Sequence, residues 1–344
     1  MGDFAARLVR WQRQQGRHDL PWQGADAYGV WISEIMLQQT QVATVIPYYQ
    51  RFMAAFPDVT ALARASEDAV LAHWSGLGYY ARGRNLHRAA RQIVAEFQSR
   101  FPRDFDAILA LPGIGRSTAS AICALALHER RAILDGNVKR LLARHRGIDG
   151  WPGNPAVEKQ LWQAAEALLP EKDVAIYTQA LMDMGATLCT RRQPACAACP
   201  VRTDCIALAG NRVHELPGAR PRKPLPEKCA TFLLLLHNNE LLLEKRPGSG
   251  IWGGMWCPPQ LDDAAMVADY LRQRGIVAAE QIVLTGFTHT FTHFRLHITP
   301  LLLPLARKPL QWQEAGNVWL DLDEVGSAAI PAPVRSLLPQ LQKS

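Results

Sequence analysis

A chain of 344 residues, 48% of them apolar, is long enough for two domains with buried cores and excludes a disordered or low-complexity protein. Lysine and arginine outnumber aspartate and glutamate by 38 to 31, and the resulting charge of +7 suits a polyanionic partner without demanding one. The first residues carry Arg7, Arg10 and Arg13 with no apolar signal-peptide core, and no apolar run reaches the ~18 residues of a membrane span. A reducing cytoplasm of bacterial type, with no membrane association, is therefore expected. The seven cysteines then read as thiols or metal ligands, not disulfides.

Residues 1 to about 215 predict an almost wholly helical domain. Met1 to Gln15 has an amphipathic helical pattern. Tyr28, Trp31, Ile32 and Ile35 recur at helical spacing, as do Ala119, Ile122, Cys123 and Ala126, and Leu161, Ala164, Ala165 and Leu168. Pro47, Pro57, Gly76-Leu-Gly78, Pro102, Pro112-Gly113 and Pro152-Gly153 predict turns. Over 216–227, Pro217, Pro221, Pro224 and Pro226 alternate with Arg220, Arg222 and Lys223, the pattern of an extended basic linker. Such a linker serves equally as a solvated tether or as a phosphate contact.

The texture then changes. Cys229–Leu236 and Glu240–Arg246 flank His237-Asn-Asn239 and predict a hairpin. Ile282–Phe287, Phe291–Pro300 and Asn317–Leu320 read as further strands, and Ala264–Gly275 as one helix. Residues 228–344 thus predict a second, α+β domain.

Four cysteines, Cys189, Cys196, Cys199 and Cys205, follow a C-x6-C-x2-C-x5-C spacing in a short basic stretch. Four clustered thiolates in a reducing compartment point to a metal or iron–sulfur site. Zinc is the alternative, but its ribbons usually show two CxxC pairs and this stretch has one, which favours a [4Fe–4S] cluster. Four thiolates leave no open iron position, so a structural or docking role is expected. Cys123, Cys229 and Cys257 read as small core residues.

Leu111-Pro-Gly-Ile-Gly115 precedes the helical run Arg116–Leu127. Gly113 and Gly115 allow a sharp turn, and the following helix start offers free N–H groups that can cradle a phosphate. A tight helix–turn–helix without any ligand carries the same signal. Asp135 stands twenty residues beyond Gly115, within Ile133-Leu-Asp-Gly-Asn-Val-Lys-Arg140. Its apolar neighbour Leu134 makes it a poor solvated surface charge.

The hairpin, this aspartate and the cysteines, in that order, resemble the helix-hairpin-helix DNA glycosylase superfamily. Trp31-Ile-Ser-Glu-Ile-Met-Leu-Gln-Gln-Thr-Gln41, Gly76-Leu-Gly-Tyr-Tyr80 and Phe291-Thr-His293 extend the resemblance, over essentially the whole chain, to its adenine-specific family. The implied fold is mainly α: a two-lobed helical glycosylase domain with an iron–sulfur cluster, plus a C-terminal α+β Nudix-like domain. The implied activity is monofunctional hydrolysis of the N-glycosidic bond of adenine mispaired with 8-oxoguanine or guanine in double-stranded DNA, by a monomer.

The resemblance places the catalytic acid on Glu34. Glu34 follows Trp31 by three positions on one helical face, and partial burial there would favour the protonated carboxyl. A structural ion pair is the bland alternative. Asp135 would stabilise the developing positive sugar, as in glycoside hydrolysis generally, or attack it transiently, and the resemblance favours the retaining, covalent variant. Ser117 and Asn137 would orient the carboxyls or the water. Ser117 also stands where glycosylase-lyases carry lysine, and a hydroxyl cannot form a Schiff base. Lys139 reads as a phosphate contact or a second-line amine. Gln39 and Tyr79 are the candidate wedges for an extruded base. Gly113 and Gly115 would grip the backbone phosphate. His18 and Gln23 stand where relatives often carry arginine.

Gly248–Pro259 resembles the start of a Nudix domain. Asp262, Asp263 and Asp269 are scattered, without the glutamate run that holds Mg²⁺, so a non-catalytic domain is expected. The resemblance assigns it recognition of 8-oxoguanine through Phe291, Thr292 and His293, with threonine in place of the family's serine. A glycosylase-lyase for oxidised pyrimidines, a nucleotide pyrophosphohydrolase and a catalytically silent damage binder are the competing readings.

Overall fold

The computed structural model describes residues 2–221, 224–276, 280–308 and 316–341. Arg222 and Lys223 of the linker lie outside the described residues. In chain order the helices are α1 (Gly2–Gln15), α2 (Ala27–Leu37), α3 (Val42–Ala55), α4 (Val59–Arg64), α5 (Glu67–Trp74), α6 (Ala81–Glu96), α7 (Phe105–Leu109), α8 (Arg116–Ala126), α9 (Gly136–Arg146), α10 (Pro155–Ala167), α11 (Val174–Asp183) and α12 (Ile206–Ala209). Strands β1 (Glu227–His237), β2 (Glu240–Lys245), β3 (Trp256–Cys257) and β4 (Gln260–Leu261) precede α13 (Val267–Gln273). Then follow β5 (Ile282–Val283), β6 (Phe287–Thr290), β7 (Arg295–Pro304), β8 (Asn317–Asp321), α14 (Leu322–Val325) and α15 (Ala332–Leu341). No helix among the described residues is long and apolar enough to cross a membrane.

The chain forms two compact units, Met1–Arg64 with Asn85–Arg222 and Ala65–Arg84 with Lys223–Ser344. In the first, α2 is apolar nearly all round, and Trp31, Ile32, Ile35 and Met36 are buried. Asp26 caps it by accepting from the Gly29 N–H at 2.9 Å. A second core gathers Leu8 of α1, Val138 and Leu142 of α9, Leu161 of α10 and Tyr177 and Leu181 of α11. Helix α9 is bounded by Asp135 as N-cap and by Gly147 at φ 64°, a left-handed cap. Pro47 corrects the turn expected there, because it lies inside α3. Val45, Tyr49 and Phe52 are buried at helical spacing around it, and that packing outweighs the lost N–H.

The second unit is built on a sheet in which β1 runs parallel to β7, from Glu227↔Arg295 to Leu236↔Pro304. The predicted hairpin forms, with β2 antiparallel to β1. Ala230–Leu235 are buried without alternation, as a central strand covered on both faces requires. The strand expected over 282–287 is two, β5 and β6, each antiparallel to β7. The strand expected from Phe291 begins only at Arg295, because Phe291–Phe294 close a turn through Phe291 N–H to Phe294 O at 2.9 Å. Segment Ala65–Arg84 packs with this unit: Ser75 Oγ donates to Ile330 O at 2.7 Å, and Lys245 pairs with Asp68. Cys123 and Cys257 are buried, but Cys229 is exposed, correcting the core expectation. It lies at the outer end of β1, before burial begins.

Candidate active site

A cleft of about 1060 Å³ in the first unit is lined by Glu34, Gln39, Ser117, Asp135 and Asn137 together with Arg17, Trp22, Arg140, Gln179 and Gly185. Sequence positions more than a hundred residues apart thus meet in one wall. Glu34 enters from α2, and the buried surroundings of that helix push its carboxyl up to about 8, with the charge of Asp135 adding to the shift.

Asp135 is also raised by burial, but opposing groups act on it. It caps α9, accepting from the Val138 N–H at 2.7 Å. The N–H of Asn137 and the charges of Arg140 and Lys139 favour its anion as well. Burial raises both carboxyls, but only on Asp135 do the α9 N–H groups and nearby cations act against the rise.

Ser117 Oγ accepts from the Leu134 N–H at 3.0 Å, so it braces the backbone immediately before Asp135. Asn137 Oδ1 accepts from Arg140 at 2.9 Å. Arg140 donates in addition to Gly185 O at 2.6 Å and Cys189 O at 2.7 Å. Gly185 belongs to a π-helical turn, Met184–Leu188, that continues α11 along the cleft.

Four contributors were not singled out from sequence: Arg17, Gln179, Asp183 and Arg140. Asp183 is fully buried, with side-chain exposure of 0%. It accepts from the Arg17 N–H at 2.8 Å, Arg17 Nε at 2.9 Å, Gln12 Nε2 at 3.0 Å and Gln179 Nε2 at 2.8 Å. A glutamine and an aspartate one turn apart in the apolar run of α11 were the available signal. Gln23 holds the same loop, donating to Arg17 O at 2.7 Å and accepting from the Leu20 N–H at 3.1 Å.

In the hairpin, Gly113 has φ 81°, and a Cβ there would lie 2.8 Å from the Asn85 Cβ. A Cβ on Gly115 would meet nothing within 4 Å. Gly115 is the N-cap of α8 and gives no side-chain acceptor to the first-turn N–H groups. Open space in front of a helix start admits an anion. Lys139 does not line the cleft; its Nζ pairs with Glu158 Oε1 at 2.6 Å.

Gln39 is exposed and has φ 59°, a left-handed conformation that is uncommon outside glycine. In the second unit Tyr79 has φ 48° and is 46% exposed. Its turn is pinned by Arg82, which donates to Leu77 O and Gly78 O at 3.1 and 3.2 Å, and by Trp74 Nε1 to Gly78 O at 3.2 Å. Strain of this kind gathers at functional positions. Also in the second unit, Phe291 stacks on Phe294 with centroids 4.5 Å apart, while Thr292 and His293 are exposed in the turn between β6 and β7. Asp263 caps a short helical turn and Asp269 pairs with Arg272.

Cys189, Cys196, Cys199 and Cys205 line one small cavity in the first unit, beside Arg144 and His145. All four are free thiols. Arg144 Nη1 donates to Cys189 Sγ at 3.3 Å and to Thr190 O at 2.7 Å. Burial, with the charges of the other three cysteines, pushes the Cys199 thiol up to about 11. Among the described residues no three metal-ligating side chains converge as for a single ion. Four cysteine sulfurs around one shared cavity are a donor set suited to a thiolate-held metal or cluster.

A profile described as HhH-GPD superfamily base excision DNA repair protein matches residues 32–167, and a NUDIX domain profile matches residues 230–340. The adenine DNA glycosylase of Buchnera aphidicola subsp. Acyrthosiphon pisum (strain APS) is 37% identical over 343 residues, 99% of this chain and 98% of that protein. The adenine DNA glycosylase of Homo sapiens is 33% identical over 399 residues, 97% of this chain and 73% of that protein. Among solved structures, a thermostable thymine-DNA glycosylase, 27% identical, superposes with a TM-score of 0.54 over 60% of this chain and 95% of its own. With the paired carboxyls, the hairpin and two relatives matched across nearly the whole chain, the protein belongs to the adenine DNA glycosylase family of base-excision repair enzymes, hydrolases of N-glycosyl bonds.

Proposed function

We propose that the protein hydrolyses the N-glycosidic bond of adenine mispaired with 8-oxoguanine or guanine in duplex DNA and leaves the strand intact. The observation that carries this reading is the inequality of Glu34 and Asp135 across one cleft. Glu34 protonates the purine at N7, which makes it a leaving group, and then accepts a proton from the attacking water. Asp135 faces the oxocarbenium-like sugar as an anion. Ser117 and Asn137 act through Asp135 by fixing the backbone and the α9 start that hold it.

Gln179 spends its amide nitrogen on Asp183, an acceptor, so the acceptor oxygen is left for the cleft. An acceptor suits the exocyclic amino group of adenine. Base extrusion is assigned to Gln39 and Tyr79, phosphate contact to Gly113 and Gly115, and lesion recognition to Phe291, Thr292 and His293. Cys189, Cys196, Cys199 and Cys205 would hold a [4Fe–4S] cluster. When bound, that group would fix the loop by four bonds, with no iron position open to substrate.

Single-turnover cleavage of duplexes carrying adenine opposite 8-oxoguanine, guanine or thymine tests the reading. Breaks should follow alkali only, with the first two substrates preferred. Strand breaks without alkali, or no preference among the three, would overturn it.

A further inference from the structure

Trp252 of the second unit has φ 54°, the left-handed region that suits glycine, in a loop where Gly250 and Gly254 also have positive φ. It is nevertheless a large side chain, and the residue is only 6% exposed. A bulky residue persists in such a conformation when its neighbours fix it there. The loop is closely tied. The Gly254 N–H donates to Arg246 O at 3.2 Å and to Pro247 O at 3.1 Å, and the Met255 N–H donates to Trp252 O at 3.0 Å. A Cβ on Gly253 would lie 2.7 Å from Gly248 O. Arg84, which follows the Tyr79 turn within the same unit, donates to Gly253 O.

The indole of Trp252 reaches the turn that carries Thr292 and His293. Its ring meets Phe232 of β1, which is fully buried, with centroids 5.9 Å apart. It also meets His289 of β6 at 5.8 Å and Phe291 at 5.5 Å. His289 and Phe291 make an edge contact of their own at 4.6 Å, and Phe291 stacks on Phe294 at the far end of the turn. A continuous set of aromatic rings thus runs from the buried part of β1 to both ends of a turn whose two middle residues are exposed. A short exposed turn binds better when it is already held in its bound shape, because less ordering remains to be lost.

We propose that Trp252 is a positioning residue for discrimination between 8-oxoguanine and guanine. Its ring braces the turn over 291–294, so that Thr292 and His293 meet the lesion already ordered. This rests on the reading above that the turn recognises the lesion. Being buried, the indole acts only through the turn.

The full chain is compared with its W252L and W252F variants, with T292A/H293A and with the W252L/T292A/H293A combination. Each is given duplexes carrying adenine opposite 8-oxoguanine or opposite guanine, and the quantity read is the ratio of the two single-turnover rates. A merely structural loss lowers both rates and leaves their ratio unmoved. W252L should lower the ratio roughly five-fold, the scale of one lost aromatic pair, and W252F should stay within about two-fold of wild type. In the T292A/H293A background W252L should lower it no further, because both changes act through one turn. A wild-type ratio in W252L that melts as a folded protein, while T292A/H293A lowers the ratio, overturns the role of Trp252 alone. So does a further fall of the same size in the combined variant, because Trp252 then acts by another route. If W252L does not fold, H289A removes a half-buried ring of the same set and is read by the same two outcomes. A wild-type ratio in T292A/H293A itself overturns the turn as the reader of the lesion, and the role of Trp252 falls with it.

Discussion

Gly185 packs against Asn137 so closely that a Cβ on it would lie 2.5 Å from the Asn137 Cβ and 3.1 Å from its Cα and carbonyl carbon. Backbone cannot swing aside as a side-chain tip can. Gly185→Ala should therefore push the start of α9, which carries Asp135, out of the cleft wall. A loss of roughly 1–3 kcal/mol in stability is expected, the scale of overpacking. Adenine release should fall further than binding of an uncleavable duplex, as single-turnover kinetics and a binding titration will reveal.

Glu34 should trade stability for chemistry. Its carboxyl releases its proton at 4.5 in the ordinary case and near 8 in the folded protein. Between those values the folded state binds more protons, so stability falls as pH rises and levels off above the upper one. Glu34→Gln removes this cost. The variant should lose adenine release yet gain roughly 2–3 kcal/mol at pH 7, and almost nothing below about pH 4. Denaturant midpoints measured across pH read this directly; a flat difference would contradict the assignment.

Asp183→Asn replaces a buried acceptor of several donors by a group that must donate as well. Arg17 then loses its charged partner. A destabilisation of roughly 3–5 kcal/mol is expected from breaking such a pair. Gln179→Leu should cost less stability and weaken adenine release, which separates the cleft contact from the support beneath it.

The proposed recognition of 8-oxoguanine is best probed by point changes in the second unit. Truncation before residue 228 would strip the partners of Ser75, Asp68 and their neighbours, which belong to the same compact unit. Replacing Thr292 and His293 together by alanine should reduce the preference for 8-oxoguanine over guanine by roughly ten-fold, the scale of one lost base contact. Cleavage opposite guanine should change little. Thr292→Ser removes only the methyl and should keep or raise the preference.

The cysteine cavity predicts a brown protein containing iron and inorganic sulfide. Cys199→Ser should weaken or abolish that colour. Zinc found in stoichiometric amount, without iron, would reject the cluster.

Chemistry-bearing positions were legible in the chain because each is set in a local pattern: Glu34 three residues after Trp31, Gly113 and Gly115 before α8, Asp135 at a helix start, and four cysteines within one short stretch. Periodicity likewise revealed the helical first part and the β1–β2 hairpin. It misread Pro47, Cys229 and the strand edges around β6 and β7, where tertiary packing and turn closure override local preference. How far each carboxyl is raised depends on burial and, for Asp135, on donors from α9 and the charges of Arg140 and Lys139, none of which is fixed by spacing. The support by Asp183, the closeness of Gly185 to Asn137, the pairing of Lys139 with Glu158 and the grouping of Ala65–Arg84 with residue 223 onward all join distant parts of the chain. The sequence by itself determined which residues could do the chemistry. Only the tertiary structure decided which of them meet and in what surroundings, because burial and hydrogen-bond partners are properties of packed neighbours.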